Sequence, residues 1–99
     1  MLQKQLEVLL TKEELNRIQI KDGEVTVDLH HLKVKEAKRL INNIIAVNRK
    51  SFKMELIHGY NHGTDLKNMI QRDFENKRII NKNSLAYNLG LTELTLAAA

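Results

Sequence analysis

The four histidines of the chain fall in two short segments, and the first segment also carries an aspartate. These segments are Asp28-Leu29-His30-His31 and His58-Gly59-Tyr60-Asn61-His62-Gly63. Asp28 and His30 are separated by one residue, so in an extended strand their side chains share a face. A carboxylate next to an imidazole orients the ring and raises its proton affinity, which suits general acid–base catalysis.

A purely structural interpretation stays open for each histidine, because histidines at strand ends often only hydrogen-bond a loop. Their concentration in two segments favours a functional site, since binding residues gather on loops that rigid elements hold in place. A nucleophilic triad is disfavoured, because no serine occupies a strained strand-to-helix turn and cysteine is absent.

The loop after His58 has features that suit the phosphate group of a nucleic acid. Gly59 and Gly63 allow the backbone to come close to a ligand, and Gly63 leads into a predicted helix. Free amides and the dipole at a helix start favour an anion. Lys67, in the first turn of this helix, adds positive charge to the same region. Tyr60 is able to stack on a base. The structural alternative is that Gly63 only ends the loop and Tyr60 packs on the surface.

Four further residues complete the predicted contacts to nucleic acid: His31, Lys33, Asn61 and His62. Lys33 lies closer to the two segments than the cations on the outer face of the following helix. Those cations, which are more typical of a solvated surface, are Lys35, Lys38 and Arg39.

Metal binding is the competing chemistry for the same residues. Two or three of the histidines, together with Asp28, have the donor types that bind zinc or a similar divalent ion. The histidines in question are His30, His31, His58 and His62. Their spacing matches no established metal motif such as HExxH. We therefore assign no metal ligands and leave a divalent metal open as a cofactor.

The composition is that of a single globular domain with a mild positive charge. The chain has 99 residues, of which 42% are hydrophobic, and its net charge is +4. This charge suits a polyanionic partner such as DNA or RNA, although small domains often carry a similar charge without one. Because cysteine is absent, disulfides and cysteine-based zinc sites are excluded.

No segment of the sequence predicts a membrane-bound or secreted protein. No apolar run approaches the roughly 20 residues that span a bilayer. Residues 1–7 lack the apolar stretch of a signal peptide. We therefore expect a cytoplasmic protein without membrane contact, whose partner is DNA or RNA and, as an alternative, another protein.

Hydrophobic periodicity places both segments at the ends of predicted strands. The predicted strands cover residues 25–30, 52–58, 78–87 and 91–96. The predicted helices cover residues 34–48 and residues 64 or 65 to 74. Before these, a capping box at Thr11 and Glu14 predicts a short helix over 12–17. A strand over 18–20 then leads into a turn at Asp22-Gly23.

The order of the elements is a hairpin-like start followed by β-α-β-α-β-β. A strand, a helix and a strand in succession usually form a parallel pair with a right-handed crossover. Both helices are amphipathic, so we expect a two-layer α/β sandwich in which they cover one face of a four-stranded mixed sheet. Ligands of such sheets bind beyond the carboxyl ends of the strands, so the two histidine segments should meet at one edge.

The chain divides into three predicted parts. Residues 1–24 form an N-terminal extension with a helix and a strand, and residues 25–96 form the main domain. The three alanines at 97–99 are typical of an added tail, so we leave them out of the fold prediction.

The two segments resemble the motifs of the Smr (small MutS-related) domain. That family carries Leu-Asp-x-His before a helix, matched here by Val27-Asp28-Leu29-His30. It carries His-Gly-x-Gly-x-Gly before a second helix, matched here by residues 58–63. The final strand, which begins at Gly90, is similar to the family's glycine-led last strand. The chain departs from the family at His31 and Asn61, where the family has glycine.

The resemblance implies a fold similar to the C-terminal domain of bacterial translation initiation factor three. It implies that the working site is lined by Asp28, His30, His58 and Gly59. Members of the family are associated with DNA nicking, RNA cleavage or nucleic-acid binding, so the resemblance implies a nucleic-acid partner.

An endonuclease of this kind hydrolyses a phosphodiester bond, and one form of this hypothesis includes a metal ion that assists the hydrolysis. Asp28 would orient or activate a water or a metal, while His30 and His58 would act as base and acid or bind the scissile phosphate. Backbone amides of Gly59 and Gly63 would hold the phosphate. The alternatives are a module that binds nucleic acid without cleaving it and a module that docks a partner protein.

Overall fold

The structure is a computed structural model that describes residues 2–59, 64–85 and 88–99. In chain order its elements are α1 (Leu2–Leu9), α2 (Lys12–Asn16), β1 (Ile18–Lys21), β2 (Glu24–Asp28), α3 (Val34–Val47), β3 (Phe52–Ile57), α4 (Thr64–Asn68), β4 (Ile79–Leu85) and β5 (Asn88–Leu96). A π-helical turn, Met69–Asp73, follows α4 directly. From β2 onward this order is the predicted β-α-β-α-β-β.

The strands form one mixed sheet of five strands in the order β1-β2-β3-β5-β4. As predicted, β2 and β3 pair in parallel, and the other neighbours pair antiparallel. The prediction of four strands is wrong because β1 joins the sheet as an edge strand. It pairs with β2 across Asp22-Gly23, whose φ angles of 53° and 81° are those of a tight hairpin turn. Residues 1–24 therefore contribute directly to the sheet.

Alternate residues of the sheet are buried, and they form one core with the apolar faces of the helices. The buried apolar side chains of the central strands are Val25, Val27, Phe52, Met54, Leu56, Leu94 and Leu96. The buried residues of α3 are Ala37, Leu40, Ile41, Ile44 and Ile45. Leu6 of α1 and Met69 and Ile70 after α4 belong to the same cluster. The intervening Thr26 and Glu55 are only partly buried, as expected when one face of a sheet is covered.

The predicted capping box starts α2. The Thr11 hydroxyl oxygen accepts a hydrogen bond from the Glu14 amide at 3.1 Å, and Glu14 Oε1 accepts one from the Thr11 amide at 2.9 Å. The other carboxylate oxygen of Glu14 lies 2.5 Å from Nη2 of Arg39 in α3. These contacts fix α2 beside α3, directly before β1 begins.

The parallel register brings the ends of β2 and β3 to the same edge of the sheet. Asp28, the last residue of β2, lies beside Ile57, the last residue of β3. The Leu29 amide donates to the Ile57 carbonyl at 2.8 Å, which continues the pairing beyond β2. The two histidine segments begin where these strands end, the first at the end of β2 and the second directly after β3.

The C-terminal alanines, which we interpreted as an added tail, are hydrogen-bonded to the rest of the fold. The Ala97 amide donates to the Arg78 carbonyl at 2.7 Å, and the Ala99 amide donates to the Arg49 carbonyl at 2.9 Å. The Arg78 guanidinium donates in turn to the carbonyls of Ala97, Ile45, Asn48 and Lys50. It thereby ties the C-terminal end of α3 to the end of the chain. No helix within the described residues is long and apolar enough to cross a membrane.

Candidate functional site

Asp28 and His30 form a hydrogen-bonded pair where β2 ends. Asp28 Oδ1 accepts from the His30 amide at 2.9 Å and lies 2.7 Å from Nδ1 of the His30 ring. The His30 and Asp28 side chains are 46% and 50% exposed. The carboxylate therefore fixes both the backbone and the ring of His30 while the ring stays open to solvent.

The charge on Asp28 decides which ring nitrogen of His30 carries the proton. Partial burial raises the pKa of Asp28, but the hydrogen bonds from the His30 amide and ring and the positive charges of His30 and Arg17 outweigh it. The pKa of Asp28 therefore lies below its usual value, and the carboxylate is ionised at neutral pH. An ionised carboxylate only accepts hydrogen bonds, so Nδ1 carries the proton and Nε2 of a neutral His30 is a free base.

Arg17 holds the backbone of this pair, although its sequence position gave no sign of that role. Its Nη1 donates to the carbonyls of Asp28 and His30 at 3.0 and 2.8 Å. The Arg17 carbonyl accepts from the Asp28 amide at 2.8 Å. The Arg17 side chain is only 20% exposed. These contacts exist because β1 pairs with β2, a pairing that the predicted four-stranded sheet did not contain.

The turn after Asp28 places a second imidazole beside the first. The Leu32 amide donates to the Leu29 carbonyl at 3.1 Å, which closes a tight turn around His30 and His31. The backbone of His31 has a φ of 69°, in the left-handed region that glycine enters without steric cost. This is one of the two positions at which the Smr-like pattern has glycine and this chain does not. The ring centroids of His30 and His31 are 6.1 Å apart.

Gly59 brings the second segment against His30. Its φ is 76°, and a Cβ added there would lie 2.8 Å from Nε2 and 2.9 Å from Cδ2 of the His30 ring. The amide of Gly59 donates to the Gly90 carbonyl at 3.0 Å. That amide is therefore already hydrogen-bonded, so it is not available to donate to a phosphate as we predicted. The contribution of Gly59 is its lack of a side chain, because a Cβ at this position would clash with the His30 ring.

His58 is buried and hydrogen-bonded at both ring nitrogens. It is 1% exposed. Its Nδ1 donates to the Gly59 carbonyl at 2.8 Å, so Nε2 accepts from the Thr92 hydroxyl at 2.9 Å. The Thr92 oxygen accepts from Gln71 Nε2 at 2.9 Å, which completes the chain of hydrogen bonds. His58 thus fixes the carbonyl of Gly59, and no ring nitrogen is left for the acid–base role that we predicted.

The environment of His58 keeps its ring neutral. Burial lowers the pKa of His58 most strongly, and the hydrogen bond to the Gly59 carbonyl raises it in part. The positive charges of Lys67 and His30 lower the pKa further. The direction of this shift agrees with a positioning role, because a neutral ring preserves the bond that it accepts from the Thr92 hydroxyl.

Only some of the remaining residues that we predict to contact nucleic acid lie within the described part of the chain. Lys33 is exposed just before α3, where its amide donates to Glu36 Oε1 at 2.9 Å. Lys67 is partly buried in α4 and close enough for its charge to act on His58. The predicted contacts Tyr60, Asn61, His62 and Gly63 lie outside the described residues.

The described part of the chain contains no cluster of metal-ligating side chains. In residues 2–59, 64–85 and 88–99 there is no group of three or more histidine and acidic side chains that could hold a metal ion. Asp28 Oδ1 is bonded to His30, and both nitrogens of His58 are occupied. We therefore assign no chemical step to a metal.

Comparison with known proteins gives no match for the chain. No protein-family model, no curated protein and no solved structure matches it. The Smr-like interpretation therefore rests on the motif residues of this chain and on the way the fold groups them.

Proposed function

We propose that this chain is an Smr-like domain that binds nucleic acid and cleaves a phosphodiester bond at the edge where β2 and β3 end. Its fold would be a two-layer α/β sandwich similar to the C-terminal domain of translation initiation factor three, with β1 added at one edge. The observation that carries the proposal is the exposed ring of His30, which Asp28 orients at 2.7 Å and beside which the chain has a glycine, Gly59, instead of a residue whose Cβ would clash with the ring.

His30 is the acid–base group of this proposal. Asp28 holds Nδ1, so Nε2 accepts a proton from an attacking hydroxyl or water in one step and returns it in another. Asp28 also stabilises the imidazolium that forms while His30 holds this proton. A positioned acid–base group typically contributes about a hundredfold to ten-thousandfold to a rate.

Two residues of the site act without touching the substrate. Arg17 holds the carbonyls on either side of Leu29, which fixes the backbone that carries Asp28 and His30. His58 holds the carbonyl of Gly59 and thereby fixes this glycine next to Nε2 of His30. Both are positioning residues.

Positive charge near the pair favours a phosphate. The charge of Lys67 acts on His58, so Lys67 lies at this edge of the sheet. Lys33 is exposed two residues beyond His31. Lysine side chains interact with phosphates as point charges, and such contacts weaken as salt increases.

The second candidate is a module that binds nucleic acid without cleaving it. The observation in its favour is that the Gly59 amide donates to the Gly90 carbonyl and is not free to stabilise a developing negative charge. Such a module would show salt-sensitive binding and no turnover.

Cleavage and binding assays separate the two candidates. Supercoiled DNA and a structured RNA are incubated with the wild-type chain, with Asp28→Ala and with His30→Ala, in EDTA and in magnesium. Asp22→Ala, in the hairpin turn away from the site, is the control. Cleavage that both site variants lose and the control keeps supports the enzyme. Salt-sensitive binding without cleavage supports the binding module, and the absence of both activities contradicts the proposal.

A further inference from the structure

We propose that His31 is a second catalytic residue and that His30 and His31 together cleave RNA by a metal-independent transesterification. This inference rests on the proposed function and adds its substrate class and a second acid–base group. It concerns a residue that departs from the Smr-like pattern, which has glycine at this position.

The two rings are close enough together for one phosphate group to contact both. Their centroids are 6.1 Å apart and their planes are inclined by 43°. Both residues are exposed at the same edge of the sheet. Oxygens on a single phosphorus atom reach both rings across such a gap through hydrogen bonds of about 2.6–3.2 Å.

The backbone of His31 indicates that its side chain is kept at a steric cost. Its φ is 69°, and glycine would adopt this angle freely. Among the described residues other than glycine, only Asp22 also has a positive φ, and Asp22 belongs to the β1–β2 hairpin turn. Unfavourable backbone angles of this kind concentrate at functional sites, where a side chain is held for its chemistry.

The chemistry of the pair favours RNA over DNA. RNA carries its own nucleophile, the 2′-hydroxyl, and needs only a base to accept its proton and an acid to protonate the leaving oxygen. DNA lacks this hydroxyl. The described residues provide two exposed imidazoles and no cluster that could hold a metal ion.

In the first step, His30 Nε2 removes the proton of the 2′-hydroxyl while the 2′-oxygen forms a bond to phosphorus. The bond between phosphorus and the 5′-oxygen breaks, and His31, which enters protonated, gives its proton to that leaving oxygen. The products are a 2′,3′-cyclic phosphate and a 5′-hydroxyl. His30 takes the role of base because Asp28 fixes the proton on Nδ1 and leaves Nε2 free.

In the second step, water opens the cyclic phosphate. His31 takes a proton from the water, whose oxygen bonds to phosphorus, and His30 returns its proton to the 2′-oxygen as that bond breaks. Both histidines regain their starting protonation states, and water is the only co-reactant.

The test uses a labelled RNA hairpin, the DNA hairpin of the same sequence, and the RNA with a single 2′-deoxy substitution at the cleavage site, all in EDTA. The proteins are the wild-type chain, His31→Gly, His31→Asn and Asp22→Gly. Asp22→Gly is the matched control, because it also replaces a residue of positive φ by glycine but lies outside the site.

We expect the wild-type chain to produce 2′,3′-cyclic phosphate ends from RNA only, and the single 2′-deoxy substitution to block cleavage. His31→Gly should fold at least as stably as wild type and bind the RNA, but cleave it at least about a hundredfold more slowly. His31→Asn should be equally slow, and Asp22→Gly should cleave at the wild-type rate.

Undiminished cleavage by His31→Gly overturns the role of His31 and leaves the proposed function intact. Cleavage of DNA, or cleavage that requires a divalent metal, overturns the RNA mechanism while the endonuclease proposal stands. If the wild-type chain neither binds nor cleaves nucleic acid, the inference and the proposed function fail together.

Discussion

The imidazole of His30 lies directly against Gly59, so that a Cβ at Gly59 would stand 2.8 Å from Nε2 of the ring. This contact joins the turn after β2 to the loop after β3. It shows why a glycine is needed at this point: a Cβ would clash with the His30 ring, and the backbone φ of 76° favours glycine. The remaining contacts of the site, from Arg17 and His58, serve to hold these two residues in place.

Replacing Gly59 by alanine should damage both the fold and the site. The substitution adds a Cβ to a residue with a φ of 76°, which costs about 1–2 kcal/mol, and forces the new methyl group against His30. We expect the free energy of unfolding in urea to fall by more than this backbone cost, and cleavage to be lost.

Gly23→Ala is the matched control, because Gly23 has a φ of 81° and a Cβ there meets no atom within 4 Å. Only the backbone cost applies to it. If both substitutions destabilise the chain equally and leave cleavage unchanged, Gly59 does not control access to His30.

Arg17→Lys should loosen the Asp28–His30 pair without removing the positive charge. A lysine lacks the planar guanidinium that donates to both carbonyls, and hydrogen bonds to charged groups contribute about 1.5–3 kcal/mol. We expect a clear loss of stability in urea, a changed NMR signal from the Nδ1 proton of His30, and slower cleavage with nearly unchanged RNA affinity.

The control for Arg17 is Arg39→Lys. The Arg39 side chain is 58% exposed in its pair with Glu14, and such pairs contribute about 1 kcal/mol or less. This variant should cleave normally. An Arg17→Lys variant whose His30 signal is identical to that of wild type would show that Arg17 does not position the pair.

His58 should make the stability of the chain depend on pH. Its pKa in the folded state is lowered, chiefly by burial, whereas in the unfolded chain it is close to the usual value of about 6.5. Below that pH the unfolded state binds the proton more readily, so the free energy of unfolding falls as the pH decreases through 6.5 toward the lower pKa. Above about pH 7 this contribution is fully present.

Urea unfolding at several pH values checks this dependence. His58→Gln has no imidazole to protonate, so we expect a lower overall stability and a smaller decrease below pH 6.5. Asp28, whose pKa is also lowered, affects stability only below its usual pKa of about 4, which separates the two effects. The same slope in wild type and His58→Gln would show that His58 is not the responsible group.

Much of the sheet could be predicted from periodicity. The alternation through Val25 and Val27, and again through Met54 and Leu56, identified β2 and β3, and the helix between them implied a parallel pair. That pairing was enough to bring Asp28 and Gly59 to one edge. The capping residues Thr11 and Glu14 correctly predicted where α2 begins.

The supporting contacts of the site could not be predicted in the same way. Membership of β1 in the sheet depends on its pairing with β2, and Arg17 reaches the Asp28 and His30 carbonyls only as a result of that pairing. His58 looked like a ligand-facing residue because it follows a strand. Its burial depends on Thr92 of β5, a long-range contact that no local pattern of the sequence encodes.

The most direct test of the account is the single-turnover rate of nucleic-acid cleavage by Asp28→Asn. An asparagine fills the same space, but its amide no longer holds the proton on Nδ1 of His30 as a carboxylate does. With Asp22→Asn as the control, we predict that Asp28→Asn binds the substrate normally and cleaves it at least about a hundredfold more slowly. Cleavage by Asp28→Asn at the wild-type rate would contradict the claim that the Asp28–His30 pair is the catalytic centre.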